Sequence, residues 1–134
     1  MASDPDLPQP ATRLSARARL KSFVYAGRGL HSLVRTEHNA WLHLAASAVV
    51  IAAGFALKIS VDDWRWIALA IALVWIAEAF NTAIEELCDR FTDAFDPAIG
   101  RVKDLAAGGV LLASVGAVII GLLTFGPAAI DILF

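Results

Sequence analysis

Three long apolar stretches constrain the fold more than any other feature of this sequence. They cover about residues 40–59, 64–87 and 105–125, and each is long enough to cross about 30 Å of hydrocarbon as a helix. Lipid offers the backbone no hydrogen-bond partners, so unbroken apolar runs of this length must be helices. Hydrophobic residues make up 58% of the 134 residues, more than one small soluble domain can bury. The sequence therefore predicts an all-α membrane protein with three transmembrane helices.

The region before the first span has two parts. Residues 1–12 contain acids and prolines and are predicted to be a disordered leader, whereas residues 13–134 are expected to form a single membrane domain. Between about residues 14 and 36, apolar side chains recur at helical spacing among basic ones. This pattern predicts an amphipathic helix on the membrane surface, although a basic anchor that only sets topology would look similar.

Basic residues are distributed unevenly around the spans. They concentrate before the first span and between the second and third, at Arg13, Arg17, Arg19, Lys21, Arg28, Arg35, Arg90, Arg101 and Lys103. The first loop holds only Lys58 and Arg65, which are offset by two acids. The positive-inside rule therefore predicts a cytoplasmic N-terminus and a C-terminus on the outside.

The end of the second span, "AEAFNTAIEELCDRF", carries an unusual amount of charge. On an ideal helix Glu78, Asn81, Glu85 and Asp89 fall within an arc of about 80° and form one polar stripe. Glu78 lies inside the span, where a carboxylate costs about 3 kcal/mol on insertion scales. Such residues usually face a bundle interior or a wet cleft, so the stripe predicts a functional site. Hydrogen bonds between helices or a solvated helix end are the structural alternatives.

Two further polar clusters lie at the predicted cytoplasmic boundary. Asn39, His43 and Ser47 follow Glu37 at the start of the first span and share one face. A lone histidine there serves packing more often than metal binding. "GRVKD" supplies Arg101, Lys103 and Asp104 at the start of the third span, where charges usually act as membrane anchors.

Together the clusters offer oxygen ligands and cations at one membrane interface. Oxygen ligands favour Mg²⁺, which usually completes its shell with waters and substrate phosphates. This combination suits phosphoryl transfer but is not specific to it, and the chain contains no glycine-rich phosphate loop. The residues alone predict a membrane metal or proton site.

The third span is rich in small residues. They are Ala106, Ala107, Gly108, Gly109, Ala113, Gly116 and Ala117. Small residues at this spacing let helices approach closely in lipid, and close approach to a ligand is the alternative. Three helices make a thin bundle, so association between protomers is expected.

The charged end of the second span resembles a known family signature. "EAFNTAIEELCDR" is similar to the E-x-x-N-[ST]-A-I-E-x-x-x-D motif of the small prokaryotic diacylglycerol kinases, a family that includes undecaprenol kinases. "RTEHNAWLH" and "GRVKDLAAGGVLL" extend the resemblance over about residues 21–125. It implies a homotrimer of three-span subunits in the bacterial inner membrane. It also implies Mg-ATP-dependent sites between subunits at the cytoplasmic interface.

The resemblance also implies residue roles. Glu78 would be the general base, Glu37 and Glu85 would hold Mg²⁺, and Asn81 would position the reacting groups. The implied ATP-binding residues are Tyr25, Glu37, Glu85, Asp89, Lys103 and Asp104. Asn39, His43 and Ala107 are further expected to position the substrate.

The expected reaction converts diacylglycerol to phosphatidic acid. The form "E-x-N-x-x-x-H" at Glu37, Asn39 and His43 is closer to Gram-positive members that phosphorylate undecaprenol, which is the alternative substrate. The expected partners are ATP, the lipid alcohol and further copies of the chain, with no nucleic acid.

Two other classes of function stay open from the sequence. A small proton- or cation-coupled transporter would explain Glu78 but not the charges gathered at the cytoplasmic boundary. A non-catalytic assembly subunit would leave the whole stripe unexplained.

Overall fold

The computed structural model describes residues 16–91 and 94–133. Its regular elements in this part of the chain are four helices: α1 (Ala16–Thr36), α2 (His38–Ala56), α3 (Val61–Phe91) and α4 (Pro97–Leu133). The chain divides into two compact units after Ser32, so that most of α1 belongs to the first unit and α2 to α4 belong to the second. The predicted leader, residues 1–12, lies outside the described residues.

Three of the helices are long and apolar enough to cross a membrane. They are His38–Ala56, Val61–Phe91 and Pro97–Ile130, one for each predicted span. This confirms the prediction of an all-α membrane protein with three spans, while the trimer stays a prediction. Helices α3 and α4 extend past both predicted ends of their spans, whereas α2 ends at Ala56, before the predicted end at residue 59. At 31 residues α3 is about 46 Å long and exceeds the hydrocarbon thickness of about 30 Å.

Helix α1 coincides with the predicted surface helix from Ala16 to Thr36, and residues 14 and 15 of that prediction lie outside the described residues. Within the first unit, the guanidinium of Arg28 lies over the ring of Tyr25 at 5.9 Å from its centroid. The helix ends at Thr36 because Glu37 is extended, with φ −97° and ψ 122°, and α2 begins at the next residue. Glu37 is therefore the single residue that connects α1 to α2.

Side chains cap the starts of α3 and α4. Ser60 Oγ accepts from the Asp63 N–H at 3.2 Å, and Asp63 Oδ2 accepts from the Ser60 N–H at 3.2 Å, which is a capping box. At α4, Asp96 Oδ1 accepts from the Ala98 N–H at 2.7 Å, and Pro97 occupies the first helical position. The cap from Asp96 explains why α4 begins well before its apolar part.

Helix α2 ends in a Schellman motif that has a lysine at its left-handed position. The Ile59 N–H donates to the Gly54 carbonyl at 3.2 Å, and the Lys58 N–H donates to the Phe55 carbonyl at 3.3 Å. Lys58 has φ 51°, a conformation that glycine adopts without a steric penalty.

We expect Lys58→Gly to stabilise the protein. A non-glycine residue in the left-handed region costs about 1–2 kcal/mol, and the greater entropy of unfolded glycine cancels part of the gain. The net increase in the free energy of unfolding should be about 1 kcal/mol. Denaturant unfolding in detergent measures it, and Lys58→Ala is the matched control because it removes the charge and keeps the strain. Equal stability of the two variants would contradict this account.

The turn between α2 and α3 is tightly packed around Gly54. The rings of Phe55 and Trp64 lie 4.9 Å apart, and a Cβ on Gly54 would come within 2.7 Å of Trp64 Cη2 and 3.2 Å of Ile59 Cδ1. The tryptophan ring can therefore approach α2 only because residue 54 has no side chain.

We expect Gly54→Ala to destabilise the protein. Overpacking costs about 1–3 kcal/mol, which exceeds the gain of about 1 kcal/mol that alanine brings to a helix. Gly29→Ala is the control, because a Cβ there meets no described atom within 4 Å. Thermal unfolding in detergent should show a lower Tm for Gly54→Ala alone. A Tm at or above that of the unmodified protein would refute the prediction.

One face of α3 forms the core of the second unit. Helix α4 packs along α3, and α2 makes a smaller contact with α3. The buried residues of α3 are apolar in its first half (Ile67, Ala70, Val74), then polar (Glu78, Asn81, Thr82), with Cys88 buried near its end. The polar stripe therefore continues the core face of α3.

Candidate active site

Exposure increases along the polar stripe of α3. The side chain of Glu78 is 1% exposed, whereas that of Asp89 at the other end of the stripe is 65% exposed. Between them Asn81 is buried and Glu85 is half-buried, and Asn81 Nδ2 donates to Glu85 Oε1 at 3.0 Å. The stripe thus leads from a buried carboxyl group to a solvated one.

His43 on α2 is the neighbour of the buried carboxylate. Its Nε2 lies 3.6 Å from Glu78 Oε2. A hydrogen-bonded chain fixes this part of α2 against α3: Ser47 Oγ donates to the His43 carbonyl at 2.7 Å, and Trp75 Nε1 donates to Ser47 Oγ at 3.2 Å. The shared face of His43 and Ser47 was predicted, but their contacts with α3 were not.

Three buried oxygen atoms have no hydrogen-bond partner among the described residues. They are Glu78 Oε2, Asn81 Oδ1 and Thr82 Oγ1. An unpaired buried polar atom costs about 1–3 kcal/mol, and a bound polar ligand or water would supply the missing hydrogen-bond partners. Thr82 was missed from the sequence, although it follows Glu78 by one helical turn and falls near the predicted arc.

The exposed end of the stripe is joined to α4. Lys103 Nζ donates to Asp89 Oδ1, which brings a cation beside the acidic stripe. A cavity of about 470 Å³ adjoins this pair and is also lined by Phe95 and Asp96. Asp104 is exposed one residue further along.

The other predicted site residues differ in exposure and lie on different helices. Glu37 is half-buried at the joint of α1 and α2 and accepts from Thr36 Oγ1 at 3.3 Å. It lies close enough for its charge to act on Glu78, as does Glu85. Asn39 and Ala107 are exposed on α2 and α4, and Tyr25 belongs to the first unit.

The donor set fits a magnesium ion better than a softer metal. The described residues contain no group of three or more His, Cys, Asp or Glu side chains arranged to hold a metal. Mg²⁺ does not need one, because it usually binds through one or two carboxylates and takes its other ligands from water and phosphate. Glu37, Glu85 and the unpaired Asn81 Oδ1 are oxygen donors of this kind.

Comparison with known proteins places this sequence in a family. The sequence profile of the family described as prokaryotic diacylglycerol kinase matches residues 24–125, which include the whole stripe. The chain belongs to this family. The undecaprenol kinase of Bacillus subtilis (strain 168) is 44% identical over 107 residues, which cover 80% of this chain and 87% of that protein.

Two diacylglycerol kinases are also similar. That of Escherichia coli (strain K12) is 33% identical over 75% of this chain and 82% of its own length. That of Synechocystis sp. is 36% identical over 76% of this chain and 59% of its own length. The comparisons confirm the resemblance seen in the motifs. The protein is a lipid kinase of the membrane, an enzyme that transfers phosphate to an alcohol group.

Proposed function

We propose that the protein transfers the γ-phosphate of Mg-ATP to the hydroxyl of a polyprenol of the undecaprenol type. The observation that carries this proposal is the buried Glu78, whose Oε2 has no hydrogen-bond partner among the described residues. An alcohol that reacts within the membrane needs a proton acceptor at that depth, and the stripe continues from there towards water and a cation.

In the proposed reaction Glu78 acts as the general base. It accepts the proton of the lipid hydroxyl while the hydroxyl oxygen forms a bond to the γ-phosphorus and the bond to the departing ADP breaks. Positioning and charge neutralisation supply most of the acceleration in phosphoryl transfer. Asn81 orients the reacting groups, and Lys103 is proposed to leave Asp89 and neutralise phosphate charge in the presence of nucleotide.

Glu37 and Glu85 are the proposed ligands of magnesium. When bound, the ion neutralises charge that develops on the phosphate oxygens. Asp89, Lys103, Asp104 and Tyr25 are proposed nucleotide contacts, and Lys103 supplies an ammonium group to the lining of the cavity beside it. Asn39, His43 and Ala107 are proposed to position the lipid.

The choice of lipid rests on the relatives and on one motif. The undecaprenol kinase shares more identity with this chain than either of the two diacylglycerol kinases named above. The Glu37, Asn39 and His43 pattern points the same way. Diacylglycerol, which the motif signature alone places first, is the second candidate.

The proposed assembly is a homotrimer with cytoplasmic active sites. Residues 13–134 would form one membrane domain in a bacterial inner membrane, with the N-terminus inside and the C-terminus outside. Support comes from α4, whose many exposed apolar side chains and small residues give a second copy a surface to pack against. Cross-linking in native membranes tests the stoichiometry, and a monomeric or dimeric active enzyme would exclude the trimer.

One assay tests the proposed function. Purified protein in detergent receives labelled ATP with undecaprenol and diacylglycerol in parallel, with and without Mg²⁺. We expect Mg²⁺-dependent formation of undecaprenyl phosphate at a kcat/KM well above that for diacylglycerol. The reverse preference would assign the second candidate. Failure to phosphorylate either lipid would refute both substrate proposals.

A further inference from the structure

Thr82 carries a buried hydroxyl group that the proposed mechanism does not use. The residue is 7% exposed, and its Oγ1 has no hydrogen-bond partner among the described residues. A serine or threonine within a helix can satisfy its hydroxyl by donating to the carbonyl four residues earlier. Ser22 and Ser47 do so in this protein, to the Ala18 carbonyl at 3.2 Å and the His43 carbonyl at 2.7 Å. The hydroxyl of Thr82 makes no such bond, so its proton is available to a ligand.

Thr82 lies between the two ends of the proposed reaction. Along α3 it is about 6 Å from the level of Glu78, the proposed base, and about 4.5 Å from that of Glu85, the proposed magnesium ligand. The lipid oxygen gives up its proton at the first of these levels, and the phosphate oxygens meet the metal ligand at the second. The phosphoryl group that is transferred between them must therefore pass the level of Thr82.

Asn81 and Thr82 flank this path on opposite sides. At 3.6 residues per turn, Glu78 and Glu85 differ by about 20° around the helix, and Asn81 and Thr82 lie about 50° to either side of the line that joins them. Residues three and four apart are neighbours on a helix surface, and their side chains lean towards the start of the helix. Both flanking side chains therefore border the space between the base and the metal ligand.

The two flanking groups differ in hydrogen-bond character. The unpaired atom of Asn81 is Oδ1, which can only accept, and its Nδ2 already donates to Glu85 at 3.0 Å. The hydroxyl of Thr82 can donate. A phosphate oxygen is negatively charged and accepts, so Asn81 Oδ1 and the carboxylate of Glu78 repel it, whereas Thr82 can bind it. Of the three unpaired oxygen atoms, Thr82 Oγ1 is thus the one suited to an oxygen of the transferred group.

We propose that the Thr82 hydroxyl donates a hydrogen bond to an oxygen of the phosphoryl group during its transfer, which makes Thr82 a further catalytic residue. This inference rests on the proposed lipid kinase reaction. Developing negative charge is best stabilised by donors that are already in place and shielded from water, and the buried, uncommitted hydroxyl of Thr82 has both properties. Thr82 keeps its own proton. The lipid proton goes to Glu78, the lipid oxygen forms the new bond to phosphorus, and the bond from phosphorus to ADP breaks.

The first test compares valine and serine at position 82. Thr82→Val keeps the shape and removes the hydroxyl, so kcat should fall at least about tenfold, since loss of one preorganised donor has cost about 10²–10³-fold in another enzyme. The KM values for ATP and undecaprenol should stay within about twofold, because the bond is made only in the transition state. Thr82→Ser keeps the hydroxyl and should restore most of kcat. An unchanged kcat in Thr82→Val would overturn the proposal.

Thermal unfolding in detergent separates catalysis from a structural role. Thr82→Val removes a buried oxygen that lacks a partner, so its Tm should equal or exceed that of the unmodified protein. If Tm and kcat fall together, the hydroxyl binds a group of the fold or of a second copy, and the proposal is wrong. Thr124→Val is the matched control, because Thr124 is also 7% exposed and lies about 30 Å along α4 from Lys103. It should keep the original kcat.

A transition-state analogue identifies the group that Thr82 contacts. MgADP with aluminium fluoride imitates the phosphoryl group in transfer, whereas a non-hydrolysable ATP analogue imitates the ground state. Thr82→Val should weaken binding of the first at least about tenfold and leave binding of the second within about twofold. If valine lowers kcat but the aluminium fluoride complex stays as tight as before, Thr82 acts on the lipid hydroxyl or on Glu78 and the proposal fails.

The parallel assay of the unmodified protein separates this inference from the proposed function. If that protein phosphorylates no lipid alcohol, the proposed function fails and the role of Thr82 fails with it. If it phosphorylates undecaprenol and Thr82→Val does so at the same kcat, the reaction stands and the role of Thr82 alone is refuted.

Discussion

Replacement of Glu78 by glutamine is expected to abolish phosphorylation of the lipid alcohol. Glutamine has nearly the same shape as glutamate but cannot accept the hydroxyl proton, and positioned general bases contribute about 10²–10⁴-fold to rate. The loss should appear in kcat, whereas the KM for ATP should change little, because Glu78 is not among the proposed nucleotide contacts. Initial rates with labelled ATP and saturating undecaprenol measure the effect.

Glu86→Gln is the matched control for this experiment. Glu86 lies in the same helix and is exposed. Both variants should assemble and unfold like the unmodified protein, and Glu86→Gln should keep its activity. A Glu78→Gln enzyme with more than about a tenth of the original kcat would show that another group accepts the proton.

Loss of magnesium ligands is expected to have the second largest effect. Chelation of divalent cations should stop turnover, and added Mg²⁺ should restore it. Glu37→Gln and Glu85→Gln should each raise the Mg²⁺ concentration for half-maximal activity at least about 10–100-fold, the range seen when even outer partners of metal ligands are removed. Glutamine at position 85 can still accept from Asn81 Nδ2, so the change removes charge and retains the hydrogen bond.

The Mg²⁺ titration separates metal binding from other roles. A ligand variant should recover part of its activity at high Mg²⁺, whereas Glu78→Gln should not recover. Glu86→Gln again serves as the control and should follow the unmodified curve. If Glu85→Gln loses kcat with an unchanged Mg²⁺ dependence, Glu85 acts on the substrate and the proposed metal ligation is incorrect.

The helices could be predicted from the sequence, but several of their ends could not. Long apolar runs identify spans because lipid leaves the backbone no alternative to helix. The start of α4 depends instead on the cap that Asp96 and Pro97 provide, outside the apolar run. Lysine does not favour the left-handed conformation, so the sequence does not predict the turn that Lys58 forms after α2.

Part of the candidate site could also be predicted from the sequence, and part of it could not. The stripe from Glu78 to Asp89 follows from helical periodicity, because four of its residues fall on one face by spacing alone. The approach of His43 to Glu78 and of Lys103 to Asp89 depends on how separate helices pack, which periodicity does not determine. The roles in phosphoryl transfer came from the family signature, and the unpaired hydroxyl of Thr82 came only from the packed helices.

The change from apolar to polar residues along one face of α3 limits which substitutions can stabilise this enzyme without loss of activity. Selection for thermal resistance would favour leucine or methionine at positions 78, 81 and 82, since each would remove a buried oxygen that lacks a partner. Selection for turnover opposes that exchange at the same positions. Substitutions that raise stability without loss of activity are therefore expected mainly at sites remote from this face. The turn at Lys58 is one such site, because glycine there would not affect the reaction.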